Sequence, residues 1–318
     1  MTHTTSSLSQ ARPPSGLQLP LTLRWRQHKD LPCVMSSPHC VIVEEKLYIG
    51  GGVTDSDDDK HTVWQYESGQ WSKLKRYKYI WFSMAAVKRQ LTLVGGWDTS
   101  TLPWQPTSDI AVWDRKWAFH TWTHPYPPMP TPRNSPAVAT YNQWLVVAGG
   151  GDHYGIYYNY LATVEVLDTD NHQWLSASLL PVKCSDVTTA ILQDDLYLVG
   201  GTLNKTLVAN LSDIIHSSTS ATTKPWRTLP APPLERSAAI TVHGALLAVG
   251  GCHGNGRSTA STAIHAYQPA TNSWSKVGDL PSPQYDCACI VLHSSELLVA
   301  GGWDSNGRRT AQVDVAVT

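Results

Sequence analysis

Short apolar runs of four to eight residues, rich in Val, Ile, Leu and Tyr, are separated along this chain by turn residues, a pattern that predicts β-strands. One run recurs. An apolar segment ending in Gly-Gly occurs six times (KLYIGG, LTLVGG, LVVAGG, LYLVGG, LLAVGG, LLVAGG), with first glycines at Gly50, Gly95, Gly149, Gly200, Gly250 and Gly301. The first five are followed after 21 to 27 residues by Trp71, Trp122, Trp174, Trp226 and Trp274. Each period, near 50 residues, also holds a strand-like segment before and after the Gly-Gly run; in the fifth these are Ser237–Val242, Leu246–Val249, Ala263–Tyr267 and Ser273–Val277. Four short antiparallel strands per period describe one blade of a propeller, so the chain is expected to be all-β with six blades. We name the strands a to d from the axis outward.

Physical roles follow from that placement. Strand b, packed on both faces, is apolar throughout rather than alternating. Glycines at its end allow close approach to the neighbouring blade without a Cβ. The Trp on strand d fills the wedge between blades, given a partner for its indole N–H.

These residues resemble the kelch repeat: an apolar run, Gly-Gly, a Tyr on the third strand and a Trp seven positions later. Tyr267 and Trp274 keep that spacing, Leu167 and Trp174 keep it without the Tyr, and Tyr66 and Trp71 stand closer. The fourth period offers only Ile214-Ile215-His216 ahead of Trp226. The resemblance spans residues 21–318 and implies a kelch-type β-propeller.

The last period supplies only one strand after Gly301-Gly302, at Ala311–Val317, and no Trp strand follows. The missing piece matches the other end, where Leu21–Gln27 carries Trp25 and then Asp30-Leu31-Pro32. The sixth blade is therefore expected to be closed by the N-terminal strand, which leaves no open sheet edge.

Composition narrows the class. Lys plus Arg number 24 against 25 Asp plus Glu, so charge gives no reason for a nucleic-acid partner, and no apolar run is long enough for a membrane helix. Residues 1–20, rich in Ser, Thr, Pro and Gln, are expected to be a disordered tail without a secretory signal, ahead of one domain over 21–318. Six cysteines without CxxC spacing read as free thiols in a reducing compartment, hence a cytoplasmic location. The sequons Asn204-Lys205-Thr206 and Asn210-Leu211-Ser212 point the other way.

In kelch-like propellers the b–c and d–a loops emerge on one face around the channel, and the resemblance places the candidate binding residues there. In the b–c loops these are Trp97 and Asp98, His153 and Tyr154, Asn204, His253 with Asn255 and Arg257, and Trp303 with Asp304, Asn306, Arg308 and Arg309. The d–a loops, expected at Ser36–Pro38, Lys75–Tyr77, Arg133–Ser135, Lys183–Ser185, Arg236–Ser237 and Gln284–Asp286, add Arg133, Asn134, Lys183, Arg236, Ser237 and Tyr285. Gly-Gly-Trp-Asp occurs twice, and its Trp either anchors a partner or covers the adjacent blade while its Asp caps the turn. Arg offers a fork for a carboxylate-bearing peptide. Asp55–Asp59 lacks the spacing of a calcium loop and reads as solvated. Cys287 and Cys289 share one face of strand a with no convergent ligand set, so no metal or cofactor is expected.

The resemblance implies a module that binds an unidentified protein or peptide on its loop face, without a nucleic-acid or membrane partner. The alternatives are a carbohydrate-modifying enzyme of the sialic-acid mutarotase type, needing an acidic base facing an Arg in the channel with Glu235-Arg236 or Asp286 as candidates, and a passive scaffold. The helical dimerisation domain of kelch-containing ubiquitin-ligase adaptors is not expected within the twenty residues before the first strand.

Overall fold

Strand b repeats most faithfully: in all six copies its first residue is half-buried and the next four are buried. That is the signature of a strand packed on both faces. The computed structural model describes residues 23–114, 121–154, 157–217, 225–254, 259–292 and 296–317, with the backbone alone at His153, Tyr154, Tyr157 and Tyr158. The expected tail, with Leu21 and Thr22, lies outside these.

Among the described residues six four-stranded antiparallel sheets are present, each in the order a-b-c-d. Blade 1 is His39–Val43, Lys46–Gly50, Val63–Glu67 and Gln70–Lys73. Blade 2 is Ser83–Val87, Gln90–Val94, Ile110–Asp114 and Thr121–Thr123. Blade 3 is Ala137–Tyr141, Trp144–Ala148, Val164–Asp168 and Gln173–Ser176. Blade 4 is Thr188–Leu192, Asp195–Val199, Thr206–Asn210 and Arg227–Leu229. Blade 5 is Ala238–Val242, Ala245–Val249, Ala263–Gln268 and Ser273–Asp279. Blade 6 is Ala288–Leu292, Glu296–Ala300, Val313–Val317 and, from the other end of the chain, Arg24–Gln27. Each strand a touches the strands a of its two neighbours, and the sixth touches the first, so the blades form a closed ring.

The closing strand pairs in register, with Trp25 opposite Ala316 and Arg26 opposite Val315. Arg26 also reaches Glu296 at 2.9 Å. A hydrophobic cluster fills each of the six wedges. Each wedge takes the Trp on or beside strand d of one blade against the blade before it. Five of these indoles donate to a backbone carbonyl across the wedge: Trp25 to Asp279, Trp71 to Lys29, Trp122 to Lys75, Trp174 to Pro127 and Trp274 to Pro230, at 2.8–3.3 Å.

Blade 4 departs from this plan. A short helix, Leu211–His216, follows strand c and is capped by the Asn210 side chain, which accepts from Ser212 N at 3.1 Å. Leu211, Ile214 and Ile215 bury one face against Trp226. Trp226 was expected on strand d but stands one residue before Arg227–Leu229, and its indole N–H has no partner among the described residues.

The Gly-Gly turn forms the seam between blades. At Gly95 (φ +66°) a Cβ would stand 2.3 Å from the Arg133 carbonyl oxygen, so only glycine fits without backbone movement. The following amide, Gly96 N, donates to that same carbonyl at 2.9 Å.

Candidate functional site

Two residues ahead of each strand a, one residue adopts a left-handed backbone: Ser37, Trp81, Ser135, Asp186, Arg236 and Asp286, with φ between 44° and 56°. None is glycine. Non-glycine residues in this region are uncommon and strained, and such residues gather at functional sites. Successive members are joined by backbone hydrogen bonds, Ser37 N to Asp286 O at 2.8 Å, Asp286 N to Arg236 O at 3.1 Å, Asp186 N to Ser135 O at 3.3 Å and Ser135 N to Trp81 O at 3.0 Å. All six line one cavity of about 280 Å³ at the mouth of the channel. Gly51, Gly52, Val53 and Gly201 from the b–c side share its wall, so d–a and b–c loops meet at this end. Backbone bridges tie them together, as between Glu235 and Cys252 or Tyr285 and Trp303.

Three ring members are ionisable. Arg236 grips Asp286 with two nitrogens, Nε to Oδ1 at 3.0 Å and Nη2 to Oδ2, and stacks its guanidinium 5.0 Å from the Tyr285 ring centre. Burial raises the Asp286 carboxyl to about 6, opposed by Arg236 and reinforced by Asp186. Asp186 is reached by solvent through the mouth while protein walls it in; that crowding pushes its carboxyl up, against a hydrogen bond from Ser135 and the charge of Arg236. Deeper in the cavity, burial lowers His39 to about 4, so its imidazole is neutral at pH 7. The Cys40 thiol is pushed up to about 12 by burial, and Cys289 is also raised by burial, so both are protonated. Among the described residues no three His, Cys, Asp or Glu side chains are placed to hold a metal.

Several expected site residues serve the fold instead. Trp97 is 3% exposed, pairs with Ile80 and Pro106, and stands edge-on to Trp81, so it is no open anchor. Asp98 accepts from Ser100 N, and Asp304 accepts from Asn306 N and Arg308 N, which makes both turn caps. Arg133 is fully buried: it pairs with Glu165 at 2.9 Å and donates to the Gly149, Thr163 and Thr131 carbonyls. Asn134 and Ser237 are buried on backbone carbonyls, and Tyr285 is buried parallel to the half-buried Trp303, over which Arg309 stacks at 4.6 Å. At Trp97, Arg133, Asn134, Ser237 and Tyr285 the physical reason is common: the inter-blade seam needs large or hydrogen-bonding side chains to close it.

Arg236, in the ring itself, and the exposed Lys183, Asn204, His253, Asn306 and Arg308 remain available on this face. Lys183 donates to Asn159 at 3.0 Å. His153 and Tyr154 lie on the hairpin Gly151–Tyr154 with Tyr157–Tyr160. Asn255 and Arg257 lie outside the described residues. The acidic run Asp55–Asp59 is matched by Arg309, Lys60, Arg76 and Lys73. Asp186 and Trp81 were not among the expected binding residues. The blade 2 loop was expected at Lys75–Tyr77, but the residue facing the axis there is Trp81.

The kelch motif matches residues 132–178 and 233–281, which contain blades 3 and 5, the latter with the Tyr267–Trp274 pair. Kelch-like protein terF of Aspergillus terreus is 25% identical over 281 residues, covering 82% of this chain and 59% of that protein. The chain is a β-propeller that carries kelch motifs. Mouse Kelch-like protein 35 (Mus musculus) is 25% identical over 254 residues, covering 78% of the propeller chain and 39% of the relative. Human Kelch-like protein 23 (Homo sapiens) is 24% identical over 290 residues, covering 86% and 47%. The propeller chain thus spans 39–59% of the length of these relatives. The solved structure of YjhT shares the fold, with a TM-score of 0.71, 16% identity, and coverage of 90% of this chain and 95% of that one. No helix among the described residues is long and apolar enough to cross a membrane.

Proposed function

We propose that this kelch propeller binds a protein or peptide through the face where its d–a and b–c loops meet, with the axial cavity as the centre of the contact. The observation that supports the reading is the ring of six left-handed, non-glycine residues that all line one cavity of about 280 Å³. This volume suits one inserted side chain, while the exposed Asn204, His253, Asn306 and Arg308 provide a polar rim. A rigid scaffold presenting such loops suits recognition.

The test is to pan a displayed peptide library against the immobilised protein. Selected peptides are expected to lose binding on His253→Ala and Arg308→Ala, and to keep it on Glu45→Lys, which lies in the a–b turn at the other end of the ring. Peptides that tolerate the first two changes and lose binding on the third would overturn the reading.

A second reading, chemistry on a sugar-sized ligand, draws on Asp286, whose carboxyl at about 6 faces Arg236 inside the cavity. A group titrating there is suited to acid–base work near neutrality. Saturable binding of a monosaccharide acid that Asp286→Asn abolishes would favour it over the peptide reading.

A further inference from the structure

Resting on that reading, we propose that the axial cavity receives a single organic cation, the ammonium of a lysine side chain on the partner, held by Asp186 and Asp286 and faced by Trp81. The placement around the ring is the first argument. Trp81, Asp186 and Asp286 precede strand a of blades 2, 4 and 6, so they occupy alternate places about the axis, with Ser37, Ser135 and Arg236 between them. All six line the same cavity. One indole and two carboxylates a third of a turn apart form three sides of an enclosure, and an aromatic face with carboxylates beside it is the chemistry that recognises an alkylammonium.

Charge is the second argument. Asp186 and Asp286 carry two negative charges when ionised, and Arg236 supplies one positive charge, already held in a two-point pair with Asp286. His39 in the same wall is neutral, as burial holds it at about 4. The cavity therefore has room for one more positive charge beside Asp186. An anionic ligand is disfavoured for the same reason: the Arg236 edge that presents Nε and Nη2 is occupied by Asp286, and a carboxylate entering the cavity would meet two others. The expectation from sequence that an Arg on this face reads a carboxylate-bearing peptide is thus reversed in sign at the axis.

Size is the third argument. A lysine side chain is long and thin enough to reach from a peptide on the loop face into a cavity of about 280 Å³, and small wall residues such as Ala238, Ala239 and Ala288 accept its methylenes.

The test is calorimetric titration of the purified chain with Nα-acetyl-lysine methylamide and, separately, with Nα-acetyl-glutamate methylamide. Saturable one-site binding of the lysine compound is expected. Asp186→Asn should weaken it about tenfold, Asp186→Glu should retain it, and the glutamate compound should not compete. Preference for the glutamate compound, or lysine affinity unchanged by Asp186→Asn in a variant that melts like the parent, overturns the proposal. The panned peptides separate this claim from the one on which it rests. Peptides that bind the loop face but tolerate replacement of every Lys sink the cation site alone. Lysine amide binding that responds to Asp186→Asn, with no peptide sensitive to His253→Ala and Arg308→Ala, upholds the cation site and sinks the peptide reading.

Discussion

Arg133 and Arg236 sit in equivalent loops two blades apart, each ahead of a strand a and each paired with a carboxylate, yet they have opposite fates. Arg133 is two residues before the left-handed Ser135 and points into the inter-blade seam, where its guanidinium is fully buried against Glu165 and three backbone carbonyls. Arg236 is itself the left-handed residue, points to the axis, and keeps 39% of its side chain exposed while gripping Asp286. Two positions along the backbone turn the same side chain from mortar into an accessible group. Each blade thus has one d–a position that serves the seam and one that serves the cavity.

The largest expected effect is at the seam. Glu165→Gln removes the counterion of a buried guanidinium and should cost about 3–5 kcal/mol, read as a fall in the denaturation midpoint. A loss as small as that of a surface pair would mean Arg133 is better solvated than its burial indicates.

The cavity should show itself through pH. His39, lowered by burial from 6.5 to about 4, is neutral in the fold where the unfolded chain would take up a proton, so its contribution to stability is lost as pH falls from 6.5 to 4. Asp286, raised by burial from 3.8 to about 6, behaves in the opposite sense: the fold holds a proton that the unfolded chain releases, so stability is lost as pH rises from 3.8 to 6. The two slopes oppose each other. His39→Gln should leave a protein that gains stability on acidification from pH 6 to 4, and Asp286→Asn one that loses it, by on the order of 2–3 kcal/mol each. Identical pH profiles in both variants would break the account of this wall.

A smaller effect sharpens the seam rule. Gln284 holds the same place relative to Asp286 as Arg133 holds to Ser135, and it is 1% exposed with neither amide atom paired among the described residues. Gln284→Met should raise stability by about 1–2 kcal/mol, since it removes unpaired buried polar atoms at similar volume. A change of similar size is expected for Arg236→Ala, about 1–2 kcal/mol in stability, because the arginine keeps 39% of its side chain exposed while Asp286, at 11%, loses its partner.

Much of this architecture is legible in the residues themselves. The Gly-Gly period marks strand b and its seam, and LTLRWRQ matches the Trp-bearing ends of other periods closely enough to identify the closing strand. Tyr267 opposite Trp274 follows from spacing; Trp113 opposite Trp122 does not, because that c–d connection is longer. The helix at Leu211–His216 hides in an apolar pattern too short to distinguish from a strand. The cavity is harder to read because membership depends on a left-handed backbone, which nothing in Trp81 or Asp186 announces. An exposed-looking Trp-Asp pair after Gly-Gly drew attention to the rim, while the seam buried Trp97. Sequence locates the loops; only the backbone tells which residue in each faces the axis.

The most direct measurement is a side-by-side comparison of Arg133→Met and Arg236→Ala, each followed by thermal melting and by affinity for the selected peptides. The account predicts that Arg133→Met melts well below the parent while its folded fraction still binds, and that Arg236→Ala melts closer to the parent and changes its peptide affinity. An Arg236→Ala variant that loses its fold, or binds the peptides as the parent does, would contradict it.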